Sequence, residues 1–189
     1  MVAPRVLYDA CVLYPAPLRD LLMRLALANL FQARWTDEIH DEWTRNVAAN
    51  RPDVSPESLA RCRRLMNEHV PDSLVTGYES LIQSLSLPDP DDRHVLAAAI
   101  HGGAGLIVTF NLSDFPASAL GGYSIEAIHP DEFLANLWGE FPEAVLDAVS
   151  RQRAGLKNPP RSAGELLATL EQCGLAETVA RLRAHAEEI

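Results

Sequence analysis

The stretch Gly102-Gly103-Ala104-Gly105-Leu106-Ile107-Val108-Thr109 decides the architecture. Its glycines stop a helix, because glycine enters the left-handed conformation without a Cβ penalty. The run after them is continuously apolar and β-branched instead of alternating, the pattern of a strand buried on both faces of a parallel sheet. Upstream, Asp89-Pro90 reads as a helix cap followed by proline at the first helical position, opening a helix from Asp91 to His101. A further helix is expected near Tyr78 to Leu85, and Ser55-Pro56-Glu57 opens another that reaches about His69. Thr36 is a plausible N-cap, with Asp37 and Glu38 in a first turn where the helix dipole favours acids, for a helix to about Asn50. Before it stand the short run Ala33 to Trp35 and an amphipathic stretch, Leu18 to Phe31, introduced by Pro15 and Pro17. Arg5 to Tyr8 is a β-prone run that ends at Asp9.

Downstream, a short strand near Ser124 to Ile128 precedes Pro130 and a helix around Asp131 to Trp138. Strands and helices thus alternate as in a doubly wound α/β domain, a central parallel sheet flanked by helices. Parallel crossovers place the C-terminal ends of the strands on one edge, where such sheets keep their sites. Beyond about residue 139 the strand signals stop. Lys157-Asn158-Pro159-Pro160 breaks the chain, and Ser162 with Glu165 forms a capping box for a helix carrying Leu166, Leu167 and Leu170. Gly174 ends it, and Leu175, Val179 and Leu182 recur at helical spacing. The expected organisation is an α/β domain over residues 1–138 and a helical C-terminal extension over 139–189.

Composition bounds the function. With 48% hydrophobic and 22% charged residues over 189 positions, the chain can bury a real core,. Its longest early apolar stretch, Leu21 to Phe31, is interrupted by Arg24 and too short to span a bilayer, so neither a membrane anchor nor a signal peptide is expected. Cys11, Cys62 and Cys173 fit neither a disulfide framework nor a Cys-x-x-Cys motif, which points to a reducing, cytoplasmic compartment. The net charge of −10 argues against strong non-specific nucleic-acid binding,. It leaves room for a nuclease whose divalent ions cancel acidic charge and whose local arginines hold a backbone. Arg61, Arg63 and Arg64 are the RNA-binding candidates, although a solvated helix face explains the same cluster.

Four acids stand where local rules would put something else. Asp9 ends the first strand and points towards the sheet's functional edge; a turn or helix cap is its alternative role. Glu42 borders the face shared by Ile39, Trp43 and Val47. Asp92 heads the stripe Val95, Leu96 and Ala99, whereas Asp89 and Asp91 are explained as cap and first-turn acid. Asp114 follows the central strand in Thr109-Phe110-Asn111-Leu112-Ser113-Asp114-Phe115, in a loop that the topology places beside Asp9. Clustered carboxylates repel one another and need a compensating cation. Oxygen-only ligands select hard ions such as Mg²⁺ or Mn²⁺, which activate water and stabilise a leaving oxygen without a protein nucleophile. His40, His94 and His101 read as caps or surface residues, and Cys11, without an evident histidine partner, as a core thiol.

Taken in order, Asp9 after an apolar strand, Asp41-Glu42-Trp43, Pro88-Asp89-Pro90-Asp91-Asp92-Arg93-His94-Val95-Leu96-Ala97-Ala98 and Val108-Thr109-Phe110-Asn111-Leu112-Ser113-Asp114-Phe115 resemble the four acidic motifs of PIN-domain nucleases, over roughly residues 5 to 135. The resemblance implies a PIN-like three-layer fold and a Mg²⁺- or Mn²⁺-dependent endoribonuclease, often the VapC-type toxin of a bacterial toxin–antitoxin pair. It places metal-site acids at Asp9, Glu42, Asp92 and Asp114, with Thr109 and Asn111 as supporting polar residues. It further implies an RNA substrate, a cognate antitoxin and a homodimer as candidate assemblies. Two departures from the family pattern are Cys11, where Asn or Ser is common, and Asn111, where some members carry a further Asp. Two rival readings stay open: a non-catalytic binding module of the same fold, and an aspartyl-phosphate phosphatase, which would want an acid at the position of Cys11.

Overall fold

The computed structural model of the chain describes residues 3–189. Its centre is a four-stranded, all-parallel sheet in the order β2-β1-β3-β4, formed by β1 (Arg5–Tyr8), β2 (Gln32–Arg34), β3 (Leu106–Val108) and β4 (Glu126–Ile128). β1 lies in the middle, with Leu7 opposite Arg34 on one side and Ile107 on the other. Val6, Leu7, Tyr8, Ile107 and Val108 are fully buried, as the two-faced apolar pattern requires,. The ladder runs one residue past each strand: the Asp9 N–H donates to Val108 O (3.1 Å) and the Thr109 N–H to Ile128 O (3.0 Å). Asp9 and Thr109 are thereby set side by side at the C-terminal edge.

The helices follow the capping signals closely. α1 (Ala10–Leu13) is a single turn capped by Asp9 itself, in place of the expected loop. α2 (Ala16–Leu27) stops before Phe31, which is buried from the loop beyond it. α3 (Asp37–Asn50) starts at Thr36, whose hydroxyl accepts from the Ile39 N–H, and α4 (Pro56–His69) starts at Ser55 in the same way. α5 (Glu79–Ile82) is one turn where a longer helix was expected. The helix expected from Asp91 divides into a 3₁₀ turn over Pro90–Asp92, capped by Asp89, and α6 (Arg93–Gly102). Gly103 closes α6 with φ +65°, the left-handed end read from the sequence,. α7 (Ala117–Leu120) and α8 (Pro130–Glu140) flank β4.

The C-terminal part contains a helix that the sequence reading did not name, α9 (Pro142–Gly155), followed by α10 (Ala163–Gln172) and α11 (Ala176–Leu182). α9 packs on α2, where Gln152 Nε2 donates to Pro17 O at 2.8 Å. α10 and α11 form the expected hairpin and bury Leu166, Leu170, Val179 and Leu182. Asp131 of α8 accepts from the Glu177 and Thr178 N–H groups (2.8 and 2.9 Å), which caps α11 from a neighbouring helix,. The tail's buried side chains belong to the same continuous core as β1 and α2, and α8 runs across the boundary expected at residue 138.

The histidines depart from their expected surface roles. His40 is fully buried: its Nδ1 accepts from Trp43 Nε1–H (3.0 Å), so its Nε2 carries the proton towards Asn67 Oδ1 (3.0 Å). Trp35 Nε1 donates to the same oxygen at 2.7 Å. His94 is also buried, while His101 is exposed as expected. The alternation of apolar and polar positions marks helices well, but a neutral histidine satisfied by buried partners looks identical in sequence to a solvated one.

Candidate metal-binding acidic site

Asp9 is the anchor of the sheet edge. It is 3% exposed, and extended backbone at φ −74°, ψ 154° makes it the cap of α1. Its Oδ1 accepts from the Ala10 N–H (2.6 Å), and its Oδ2 accepts from Thr109 Oγ1 (2.6 Å) and Cys11 Sγ (3.1 Å). Cap and site residue are therefore one role here, because capping uses one lone pair of a carboxylate that has about four. Thr109 is fully buried and supports Asp9 directly. Asn111 contributes through its backbone N–H, which donates to Thr109 Oγ1 at 3.0 Å, while the residue itself is exposed.

Cys11 is half-buried and belongs to this network, not to the core alone. Its sulfur also accepts from the Phe110 N–H (3.3 Å). Burial, followed by the charge of Asp9, pushes its thiol well above the ordinary range, so it stays protonated and serves Asp9 as a donor,. The same environment disfavours a thiolate.

The other three acids reach the edge from separate elements: Glu42 from α3, Asp92 from the turn before α6, and Asp114 from a 3₁₀ turn, Leu112–Asp114, after β3. All three are half-buried, while Asp91 is exposed. Asp92 carries the record of the crowding. Burial, then the charges of Asp9, Asp89, Asp114 and Glu42, push its carboxyl up to about 7. Glu42 is raised by burial and by Asp9, against the opposing charge of Arg45. The four acids thus share one electrostatic neighbourhood. Among the described residues no three His, Cys, Asp or Glu side chains stand close enough together to hold a metal ion as they are placed.

Two neighbours were not expected from sequence. His94, 7% exposed, has Nδ1 3.6 Å from Glu38 Oε2 and Nε2 3.8 Å from Glu42 Oε2. Tyr78 Oη donates to Glu38 Oε2 at 3.2 Å. The available signal was the spacing of Glu38 and Glu42, which at i and i+4 share one face of α3.

The arginines stand apart from this group. Arg63 pairs with Asp37 (2.6 Å) and with Asp41 across the α3–α4 contact, whereas Arg64 reaches Glu68 at 3.5 Å one turn along α4 itself. Arg61 is exposed on α4. A cavity of about 800 Å³ lies between those helices, lined by Arg45, Leu59, Arg63, Arg64 and neighbours, and none of the four acids borders it.

A family model described as "PIN domain" matches residues 5–113, more than half of the chain. That span takes in Asp9, Glu42 and Asp92 and stops one residue short of Asp114. A model described as "VapC50 C-terminal domain" matches residues 130–184, which run from α8 through α11. The chain is 39% identical over 94 residues to the Mycobacterium tuberculosis (strain ATCC 25618 / H37Rv) protein named "Putative ribonuclease VapC50". The aligned stretch covers 50% of this chain and 55% of that protein, so the chain spans about half the length of the curated relative it matches. No solved structure matches it.

Proposed function

The chain belongs to the PIN-domain family, and from that premise we propose that it is a metal-dependent endoribonuclease that hydrolyses RNA phosphodiester bonds as the toxin of a toxin–antitoxin pair. The observation that carries this reading is the gathering of Asp9, Glu42, Asp92 and Asp114 from four separate segments into one electrostatic neighbourhood at the sheet edge. Like charges brought together without a matching set of cations cost stability unless a cation completes them.

Asp9, Glu42, Asp92 and Asp114 would hold Mg²⁺ or Mn²⁺. When bound, such an ion supplies an activated water and stabilises the charge developing on the leaving oxygen. The chain's own residues do the rest. Thr109 and Cys11 orient Asp9 by donating to its Oδ2, and the Ala10 N–H fixes Oδ1. Asp92, raised to about 7, loses its proton readily near neutral pH and sits where a cation would favour the charged form,.

The phosphatase alternative is weaker on the same geometry. Both oxygens of Asp9 are engaged, and the position two residues on is a protonated thiol with no proton-accepting role to offer. The identity of the relative favours the toxin role, and with it an RNA substrate, an antitoxin and a reducing cytoplasmic setting as further parts of the proposal. No helix among the described residues is long and apolar enough to cross a membrane.

Incubation of the chain with a panel of labelled RNAs tests the reading. Cleavage with Mg²⁺ or Mn²⁺ that stops in excess EDTA is expected. Undiminished cleavage in EDTA, or none on any RNA with either ion, would remove it.

A further inference from the structure

The sheet ladder ends at the Thr109 N–H, and the two residues after it are pinned by other means. The Phe110 N–H donates to Cys11 Sγ (3.3 Å) and the Asn111 N–H to Thr109 Oγ1 (3.0 Å). Those two acceptors are the groups that donate to Asp9 Oδ2, at 3.1 and 2.6 Å. The backbone of this short segment therefore decides where the donors of the anchoring carboxylate stand. Phe110 is its one large side chain, half-buried, and its ring lies against residues far along the chain. A Cβ at Gly174, in the turn between α10 and α11, would stand 3.1 Å from the ring, so the bare backbone of that turn faces it. His129 meets the ring edge-on, with centroids 5.2 Å apart. The two surfaces are tied to each other. His129 Nδ1 accepts from the Asp131 N–H (3.2 Å), and the Asp131 carboxylate caps α11, which begins two residues after Gly174.

We propose that the α10–α11 hairpin is part of the construction of the acidic site: it holds the Phe110 ring against His129 and so sets the donors on Asp9, with Phe110 as the positioning residue. The inference rests on the metal-dependent reading above and gives the C-terminal helices a part in it. A ring held on two sides cannot shift without carrying its own N–H off Cys11, because a single Cα joins its Cβ to that nitrogen. The hydrogen bonds that orient a metal-binding carboxylate typically change metal affinity about 10- to 100-fold when they are lost. A contact that served packing alone would leave a different signature, a loss of stability with the donors of Asp9 unmoved.

The test uses the full chain and two measurements: Mn²⁺ binding by paramagnetic resonance of the free ion, and metal-free amide hydrogen exchange at residues 110 and 111 by NMR, relative to the ladder-bonded amide of Thr109. Leu25→Ala serves as the control, a cavity in the buried face of α2,. Phe110→Ala should weaken Mn²⁺ binding about tenfold and speed the relative exchange by at least about as much, whereas Leu25→Ala should change neither beyond about twofold. Phe110→Leu, which refills much of the space, should recover most of both. Gly174→Ala presses a Cβ on the ring, so it should weaken Mn²⁺ binding in the wild-type background and have no further effect in Phe110→Ala. If its effect persists without the ring, Phe110 is not the carrier and the proposal is overturned. Mn²⁺ uptake by wild type with equal affinity in Phe110→Ala, or an equal loss in Leu25→Ala, would also overturn it while leaving the nuclease reading intact. If Phe110→Ala fails to fold, Gly174→Ala decides: unchanged Mn²⁺ affinity and exchange overturn the proposal. Absence of uptake by wild type would overturn both.

Discussion

Asp92 and Asp91 are neighbours with different surroundings, one half-buried and the other exposed, and the proposed site distinguishes them. The backbone after Asp89 is a 3₁₀ turn and not the first turn of the helix expected from Asp91. α6 is buried almost all round, His94 through Ala99, so Asp92 does not head a single apolar stripe. The outcome nevertheless keeps its direction: Asp92 turns inward and Asp91 faces solvent. Asp92→Asn should lower turnover at least about a hundredfold, some 2.7 kcal/mol of barrier. Asp91→Asn should cost no more than about 0.5 kcal/mol of stability. Single-turnover rates on RNA for both variants, with matched circular dichroism, measure the difference. The raised carboxyl of Asp92 also fixes a pH trend. Between its ordinary 3.8 and about 7 the folded chain keeps a proton that the unfolded chain has released. In EDTA the folded state therefore loses stability as pH rises through that window, and the contribution is gone above about 7. Melting temperatures at increasing pH should fall for wild type and flatten in Asp92→Asn. Asp114→Asn should likewise raise the metal-free melting temperature by relieving repulsion; a clear fall with the fold intact would count against clustering.

At the scale of elements, the connection between α10 and α11 bears on the site from a distance. Gly174 turns at φ +88°, and a Cβ there would stand 3.1 Å from the Phe110 ring. Phe110 follows Thr109, donates its N–H to Cys11 and sets its ring edge against His129 at 5.2 Å. Gly174→Ala should destabilise the chain by about 1 to 3 kcal/mol, through left-handed strain and pressure on that ring. Urea denaturation reads the loss, and a change below about 0.5 kcal/mol would show that the turn relaxes freely. The helix α9 teaches a different lesson. Pro142 at the first position, Glu143 in the first turn and Val145, Ala148 and Val149 are helix signals, but Gln152 interrupts the apolar stripe. Its burial depends on Pro17 O as acceptor, which no local pattern can show.

For the molecule as a whole, the tail and the sheet domain share one core. A chain ending at Glu140 would uncover the face of α2 that α9 covers, together with the contacts of α8 with α11. Leucine and valine burial contributes about 1.5 to 3 kcal/mol per side chain, and α9 to α11 bury several, against total stabilities of about 5 to 15 kcal/mol. The truncated chain is therefore expected to lose cooperative unfolding, and the full chain to melt in one transition. A folded truncation with a sharp melting curve and turnover within about tenfold of the full chain would show the tail to be dispensable.

Local chemistry written along the chain determined most of the elements. Caps at Thr36, Ser55 and Ser162, the glycine stops at Gly103 and Gly174, and the apolar run Leu106 to Val108 each act over a few residues, so their sequence is sufficient to read them. The parallel sheet followed from the same run, because a strand apolar on both faces must be covered on both faces. Only the tertiary structure decided which acids meet, what holds Asp9, and that His40 and His94 are buried. Those facts depend on side chains far apart in sequence, such as Asp9 with Thr109 and Glu42 with His94, being brought within a few ångströms. Charge and hydrogen-bond energies fall off over that distance in space, and sequence separation does not measure it.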